Sequence, residues 1–429
     1  MQIYFFPSYS AAIFFISFYS VCHFLGNFAA VLETDLFYRF MNSNSITLTK
    51  KRARIALLIQ FFLCGFIYST LLSRFPALLE NYNMNMTQMS GVLLSMSIGS
   101  FCTMPLNVHL MGKFGSKKTT IAGFFYMILL PLLALMPNII SLYIIGLLYG
   151  VFISMLDVAM NGNTILVENA YKRPIISLFH AAYYVGVCMS AIASVFFIKH
   201  AISVQIHYSI IAAISIIVFF FIRQWYLQET ITEDYIPSHK KIIFPKGILL
   251  FLAFIALCGR VVEGSVNNWS TVYMKTIVEF PEYLAPLGLA IYSAFMSIGR
   301  FFCDSIRARY QESSILLVCC GITAIGVLLI ISNTAYYFAF TGLFIAGLGI
   351  SCLVPIIYSL AGRQKDVTPA MGIAMVNTIS GTGFLFGPFI IGLIADHYNM
   401  RASFLYIWCL TLIMCLLTYF YRKKEHRLK

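Results

Sequence analysis

Runs of about 20 apolar residues recur along almost the whole 429-residue chain, and they limit the folds that it can adopt. A helix of about 20 residues spans about 30 Å, which matches the hydrocarbon thickness of a bilayer. Hydrophobic residues make up 60% of the chain and charged residues only 10%, too few to cover a soluble protein of this length. The runs lack the two-residue alternation of an outer-membrane β-barrel. The sequence therefore predicts an all-α membrane protein.

We predict twelve transmembrane helices, with boundaries accurate to a few residues. The predicted spans are 53–73, 87–110, 119–136, 139–167, 175–198, 204–225, 246–274, 284–306, 313–332, 335–361, 369–395 and 401–421. A polar, charged segment, 226–245, separates two sets of six helices. The predicted domains are thus a six-helix bundle at 53–225, a central cytoplasmic loop at 226–245, a second six-helix bundle at 246–421 and a basic cytoplasmic tail at 422–429.

Basic residues are concentrated in alternate loops. Most Lys and Arg residues fall on the side where the first span begins, whereas the other side holds Arg74, Lys199, Lys275 and Arg401. By the positive-inside rule, this asymmetry predicts that both ends of the twelve-helix core are cytoplasmic. The formal net charge of +13 then reflects orientation in the bilayer, and we expect no nucleic-acid partner.

The first 40 residues do not fit the twelve-span scheme. Positions 3–32 are apolar and contain no Lys, Arg or acidic residue, so they could form an extra hydrophobic helix. Met41 is followed by a polar, basic segment that is typical of a cytoplasmic start. We therefore predict that residues 1–52 are a hydrophobic extension and a cytoplasmic lead-in outside the functional core.

The two halves contain a faint internal repeat. At an offset of 197 residues, Phe179-His180-Ala181 aligns with Val376-Asn377-Thr378, and Gly186 aligns with Gly383. The predicted spans also coincide at this offset. A parallel duplication, with two halves related about the membrane normal, explains this pattern.

A signature segment follows the second predicted span and recurs in part after the eighth. The first copy, from Met111 to Lys118, keeps a glycine turn and basic residues and has Gly112 as its second residue. The second copy, from Gly299 to Arg309, contains Asp304 together with Arg307. With the two six-helix halves, these segments resemble the major facilitator superfamily, whose signature reads Gly-x-x-x-Asp-Arg-x-Gly-Arg-Arg. Gly112 stands where that family has its aspartate. The resemblance implies a conformational latch formed by Gly115, Lys117, Lys118, Arg300, Asp304 and Arg307.

Further segments are similar to the MosC-like branch of that family, which consists of bacterial inner-membrane proteins. They are Ser73-Arg74-Phe75-Pro76, Asp157-Val158-Ala159-Met160-Asn161, Ser177-Leu178-Phe179-His180, Glu263-Gly264, Asn268-Trp269-Ser270 and Gly387-Pro388. The resemblance implies a multi-pass carrier in the inner (plasma) membrane, with a sugar-like or polyol-like solute.

Polar residues interrupt the fourth predicted span. Asp157, Asn161 and Glu168 fall within about 40° of arc on one helix face, so this face must contact protein or a water-filled cavity. A carboxylate that faced lipid would cost several kcal/mol. Asp157 could pair with a donor on a neighbouring helix and have a structural role, or it could be a gate or a proton-carrying site.

The seventh predicted span carries Arg260, Glu263 and Asn267 on one face. Arg260 and Glu263 are three residues apart and can pair directly, which would make the pair structural. Alternatively, Glu263 is protonatable and its proton affinity depends on whether Arg260 is engaged elsewhere. Trp269 could stack on a sugar ring, but we favour a role as an interface anchor.

His180 begins the fifth predicted span, and Asn377 is its counterpart at the 197-residue offset. A single histidine at this position is typical of a hydrogen-bonded packing residue, but a neutral imidazole could also gate or titrate near physiological pH. Both residues are candidates for solute binding or proton coupling.

The sequence predicts a secondary transporter that works by alternating access, with protons coupled through Glu263 or Asp157. Its partners would be a small-molecule solute, protons and the bilayer, and we expect a monomer without a cofactor or metal. No nucleotide-binding Gly-x-x-x-x-Gly-Lys-Ser/Thr segment occurs in the chain. Alternatives are an efflux carrier for drugs or metabolites with the same fold, a transporter-like sensor, and a membrane-embedded enzyme, which the scattered histidines do not favour.

Overall fold

The computed structural model describes residues 48–172, 175–227, 245–364, 367 and 369–428. The chain divides into two compact units, residues 1–52 and residues 53–429. The predicted extra N-terminal helix within residues 1–40 lies outside the described residues, as does most of the predicted 226–245 loop. The first turn of the first helix, 48–52, falls in the first unit, and all other described residues belong to the second.

The described residues are helical almost throughout, as the apolar runs predict. The α-helices are α1 (Leu48–Ser73), α2 (Phe75–Asn81), α3 (Met86–Gly123), α4 (Tyr126–Leu132), α5 (Ile139–Tyr171), α6 (Ile176–Lys199), α7 (Val204–Ile222), α8 (Ile248–Thr276), α9 (Leu287–Arg307), α10 (Glu312–Ser332), α11 (Tyr336–Ser351), α12 (Leu353–Gly362), α13 (Pro369–His397) and α14 (Met400–Leu428). A 3₁₀ helix at Glu282–Leu284 precedes α9.

Ten helical stretches within the described residues are long and apolar enough to cross a membrane. The number becomes eleven if Met86–Met104 and His109–Leu132, bent by 114° relative to each other, count as one span. We predicted twelve spans, and the difference arises where α3 and α4 replace the second and third predicted spans. Gly115 interrupts α3 there, with φ 75° and ψ 167°. This conformation favours glycine, so the chain turns within a stretch that remains helical on both sides.

Side-chain caps fix the starts of several helices. The Asn85 side chain accepts the Gln88 backbone N–H at 2.8 Å, and the Gln88 side chain accepts the Asn85 N–H at 3.0 Å. Asn138 accepts the Ser141 N–H at 2.9 Å at the start of α5. These bonds satisfy backbone donors that have no partner within the helix, which matters most next to a bilayer.

Two prolines have different effects on their helices. Pro355 has no N–H to donate to the carbonyl of Ser351, and the tenth predicted span breaks there into α11 and α12. Pro388 lies inside α13, which continues past it. For the same reason, Pro388 leaves the carbonyl of Phe384 without its helical donor. The Ser97 hydroxyl, on α3, donates to that carbonyl at 3.3 Å.

The two halves of the 53–429 unit meet along two helix pairs, α6 with α9 and α3 with α13. Gly392 lies at the second contact, where a Cβ atom would come within 2.3 Å of the Ser90 Oγ. The outward faces of the helices carry exposed apolar side chains, such as Phe220 and Ile144. Apolar outer faces suit a protein that has lipid as its solvent.

The C-terminal helix is longer than predicted. We predicted a span at 401–421 followed by a basic tail, but α14 continues through the basic residues to Leu428. A helix can leave the hydrocarbon without ending, because its backbone hydrogen bonds are internal and the Lys and Arg side chains reach water.

Candidate functional site

The polar face of α5 begins with Asp157 and Asn161, as the spacing predicts. The Asn161 Nδ2 donates to the Asp157 Oδ1 at 3.2 Å and to the Asp157 backbone carbonyl at 2.8 Å. Asp157 is exposed, yet the positive charge of Arg260, from the other half, acts on it. The influence of Arg260 indicates that the Asp157 carboxylate lies near the second half.

The other two polar residues of that segment have structural contacts. Glu168 Oε2 accepts the backbone N–H of Ile175 at 2.8 Å and that of Ile176 at 3.2 Å, so it caps α6. Asn163 lies off the Asp157 face, and it is buried. Its Nδ2 donates to the Thr120 hydroxyl at 3.0 Å.

Glu263 is 3% exposed and pairs with Arg300 of α9, at 3.0 Å between the Arg300 Nη2 and the Glu263 Oε1. The Tyr184 hydroxyl of α6 donates to the same oxygen at 2.5 Å. The Arg300 guanidinium also lies 4.5 Å from the Tyr184 ring centroid. Glu263 thus links α8 and α9 of the second half to α6 of the first half.

The pairing of Glu263 with Arg260, which the three-residue spacing allowed, is replaced by the pairing with Arg300. Arg260 turns instead towards α12 and α13. Its Nη2 donates to the Tyr358 hydroxyl at 2.9 Å, and its guanidinium lies 5.0 Å from the Phe384 ring centroid. The Tyr358 hydroxyl in turn donates to the Asn377 Oδ1 at 2.6 Å. Asn377 therefore holds the phenol that positions Arg260.

His180 lies on α6 of the first half. Its ring packs edge-on against Phe61, with 5.3 Å between the ring centroids. The charges of Arg260 and Arg300 both act on the imidazole. His180 is thus part of the same polar cluster as Asp157.

The last part of the predicted α8 face contains residues of two kinds. The Tyr68 hydroxyl of α1 donates to the Asn268 Oδ1 at 2.8 Å, which is another bond between the halves. The Oδ1 of Asn267, a buried residue, has no hydrogen-bond partner among the described residues.

Trp269 does not have the anchor role that we favoured. It is 0% exposed, its indole N–H donates to the carbonyl of Pro388 at 3.3 Å, and its ring lies 6.4 Å from that of Phe75. An interface anchor needs contact with the headgroup region, and Trp269 has none of its surface available. The indole packs between the halves instead.

The latch residues of the second half form an ion-pair cluster. Arg307 pairs with Asp304 at 3.2 Å and with Glu312 at 2.8 Å, and Arg363 pairs with Glu312 at 3.1 Å. The Asp304 Oδ2 also accepts the Ser177 hydroxyl of α6 at 2.8 Å, which joins the halves at this end. At this end of the bundle, α6 begins and α9 ends. Arg300 does not join the cluster, since it binds Glu263.

At the opposite end, where α3 begins and α13 ends, another set of polar contacts joins the halves. Lys275 of α8 binds Glu80 of α2, and its Nζ also lies 3.2 Å from the Glu282 Oε2. The Met86 N–H donates to the Asp396 Oδ1 at 3.2 Å. Asp157, Arg260, Glu263 and Arg300 form what we call the central cluster. It lies between the polar contacts at these two ends of the bundle.

Sequence reasoning missed Tyr184 and Glu312. Tyr184 lies four residues after His180 and so shares its helix face, a signal that could have been used. Glu312 lies at the predicted start of the ninth span, where an acid looks like an ordinary end-of-helix charge. Its pairing with two arginines depends on tertiary contacts that no local pattern shows.

These features define a class of protein: a multi-pass helical membrane protein whose two halves enclose opposite charges at their interface, as membrane transporters do. The chain matches the Major Facilitator Superfamily model over residues 57–366 and 316–429, and it belongs to that family. This family consists of secondary transporters, which are not enzymes and which bind small-molecule solutes.

The relatives agree with this assignment. The chain is 28% identical over 349 residues to an uncharacterized MFS-type transporter of Yersinia pestis, covering 81% of this chain and 90% of that protein. It is 23% identical over 376 residues to the membrane protein MosC of Rhizobium meliloti, covering 87% of this chain and 91% of MosC. These bacterial relatives suggest a plasma-membrane location.

The fold also resembles that of a solved transporter. The crystal structure of the nucleoside transporter NupG superimposes with a TM-score of 0.69 and 14% identity, covering 88% of this chain and all of NupG. At this identity the likeness concerns the fold alone. It confirms the predicted all-α major facilitator architecture.

Proposed function

We propose that this chain moves an uncharged, hydroxyl-rich solute, of the sugar or polyol kind, across the bacterial inner membrane together with protons. The observation that supports the proposal is that Asp157 lies on one half and Arg260 on the other, close enough for the charge of Arg260 to act on the carboxylate. A solute held between them contacts both halves at once, which alternating access requires.

The charges of the central cluster favour a solute without net charge. Asp157 and Glu263 contribute two negative charges, and Arg260 and Arg300 contribute two positive ones. An ion added to this balanced set would lack a counter-charge in a low-dielectric site, at a cost of several kcal/mol. Hydroxyl groups can instead donate to Asp157 and accept from Arg260.

Asp157 is the better of the two predicted proton carriers. Glu263 is buried, and its Oε1 is bonded to the Arg300 guanidinium and to the Tyr184 phenol. Asp157 has an amide as its direct partner, and it is accessible. A carboxylate of this kind can take up a proton without breaking an ion pair.

The proposal is tested with purified protein in liposomes that contain a pH-sensitive dye. Sugars, polyols, amino acids and organic anions are added outside one at a time, with protein-free liposomes as the control. We expect at least one sugar or polyol to change the internal pH and to be taken up, and amino acids and anions to do neither. Uptake of such a solute without any proton movement would refute coupling. Selective uptake of an anion would refute the assignment of the solute.

A further inference from the structure

The basic loop between the second and third predicted spans has no acid to neutralise it. Lys113, Lys117 and Lys118 lie on either side of the turn at Gly115, and Lys113 and Lys118 are exposed. No carboxylate among the described residues lies within ion-pair distance of these three lysines. Gly112 occupies the place where an aspartate would supply one. The loop thus carries about three uncompensated positive charges.

In the equivalent loop of the second half, acidic side chains neutralise the basic ones. There Asp304 and Glu312 together bind Arg307 and Arg363. The two loops occupy matching places in the repeat. The second loop contains acidic residues, and the first loop contains none.

The first loop has the geometry of a membrane-surface site. The positive φ of Gly115 ends one helical segment and begins another, which brings lysines from both segments to the same turn. Beside them, Phe114 is 43% exposed, and the Lys113 Nζ lies 5.4 Å from its ring centroid. An ammonium next to an exposed apolar ring at the end of a span suits a molecule that is anionic at one end and apolar at the other.

We propose that Lys113, Lys117 and Lys118 bind the phosphate headgroup of an anionic phospholipid, with Phe114 against its apolar part. The lipid phosphate would then take the place of the carboxylate that Gly112 lacks. Each lysine near an anionic membrane surface strengthens such binding about fivefold. A free phosphate would satisfy the lysines but would gain nothing from Phe114.

The test uses the full chain in nanodiscs that contain phosphatidylcholine and phosphatidylglycerol. The lipids that stay bound after extraction are counted by native mass spectrometry. For the wild type we expect phosphatidylglycerol to be enriched over its share in the nanodisc. For the triple variant K113Q/K117Q/K118Q we expect the enrichment to fall at least tenfold. Equal retention of the two lipids by the wild type would overturn the proposal.

A matched control separates a site from general positive charge. The variant R422Q/K423Q/K424Q removes as many charges from the C-terminal part of α14. These three lie on one continuous helix, whereas the loop lysines come from two helical segments that meet at Gly115. We expect the phosphatidylglycerol enrichment of this control variant to fall less than fivefold. A loss as large as that of the lysine triple would show non-specific attraction and overturn the proposal.

A gain of the missing acid gives the sharpest test. Gly112→Asp supplies an internal carboxylate and should reduce the enrichment about fivefold, whereas Gly112→Asn, of similar size but neutral, should leave it nearly unchanged. Melting temperatures in pure phosphatidylcholine show whether both variants fold. Equal effects of the two variants would contradict an electrostatic site. Loss of bound phosphatidylglycerol on addition of millimolar inorganic phosphate at constant ionic strength would show that the site takes free phosphate, not lipid.

Discussion

Asp157 and Glu263 are both carboxylates in the middle of apolar helices, one on each half, but their surroundings differ. Glu263 is 3% exposed and is bonded to Arg300 and Tyr184. Asp157 is exposed, with Asn161 as its direct partner and Arg260 acting on it from the other half. The presence of an acid within a span therefore does not define its role. The number and kind of its direct partners do.

The comparison indicates that Glu263 contributes to stability and Asp157 to transport. A buried carboxylate that is bonded to a cation becomes part of the packing, and its removal leaves the cation uncompensated. An accessible carboxylate with a neutral partner can change its protonation state at little cost to the packing. We therefore expect changes at Glu263 to affect the folded state and changes at Asp157 to affect coupling.

The largest expected effect follows Glu263→Gln. It leaves the Arg300 guanidinium buried without its counter-charge, so the free energy of unfolding should fall by about 3 kcal/mol. Thermal unfolding of the purified protein measures this change. In the double variant Glu263→Gln, Arg300→Gln the loss should be clearly smaller than the sum of the two single losses. Additive losses would show that the two side chains do not interact. Glu263 would then be, like Asp157, a carboxylate without a cation bonded to it.

The next effect should come from Tyr184→Phe, which removes the phenol that joins Glu263 to the first half. A hydrogen bond to a charged group contributes about 1.5 kcal/mol or more, so the loss of stability should be about half that of Glu263→Gln. Tyr183→Phe is the matched control, since it removes a hydroxyl from the adjacent position. If both tyrosine variants lost the same amount, the link between the halves would have no measurable energy.

Asp157→Asn should leave the melting temperature nearly unchanged and abolish accumulation driven by a pH gradient. One proton per solute allows at most about tenfold accumulation per pH unit, because a pH unit corresponds to about 1.4 kcal/mol. In liposomes the accumulation ratio should fall to about one, while exchange of labelled for unlabelled solute continues. Gradient-driven accumulation by the variant at the wild-type level would remove Asp157 from the coupling role.

The smallest effect is expected for Arg260→Lys. Lysine keeps the charge that acts on Asp157, but it cannot reproduce the planar contact with Phe384 and the directed bond to Tyr358. The KM for solute should rise about fivefold, with gradient-driven accumulation retained. Arg260→Gln removes the charge as well and should raise the KM further. Equal KM values for the two variants would mean that charge at position 260 does not matter.

Most of the fold could be predicted from the sequence because the bilayer requires long apolar helices. The predicted span at 246–274 and α8 (Ile248–Thr276) agree within about two residues at each end. The predicted loop at 111–118 contains Gly115, where the backbone leaves the helical conformation. The prediction did not show that the residues on both sides of Gly115 stay helical, so that α3 runs from Met86 to Gly123. The helix that contains the last predicted span continues to Leu428, since basic residues do not stop a helix.

Less of the site could be predicted. The bond between Asp157 and Asn161 follows from their spacing of four residues, because residues four apart are neighbours on a helix. The partner of Glu263 could not be found in this way. Arg260 is near in sequence and Arg300 comes from another helix, and only the packing of α8 against α9 decides between them. For Trp269, the sequence pattern is the same whether the indole faces headgroups or the other half.

The carbonyl of Phe384, which Pro388 deprives of its helical donor, bears on the energy of the transport cycle. It accepts the Ser97 hydroxyl from the opposite half, so this acceptor is satisfied only while α3 and α13 stay together at that level. When the halves separate there, the oxygen needs a new donor, and leaving it bare would cost about 1–3 kcal/mol. Water or a solute hydroxyl can supply that donor. The proline thus makes the separation of α3 from α13 depend on whether water or a solute hydroxyl reaches this carbonyl. Without such a donor, the separated state is less stable than the closed one.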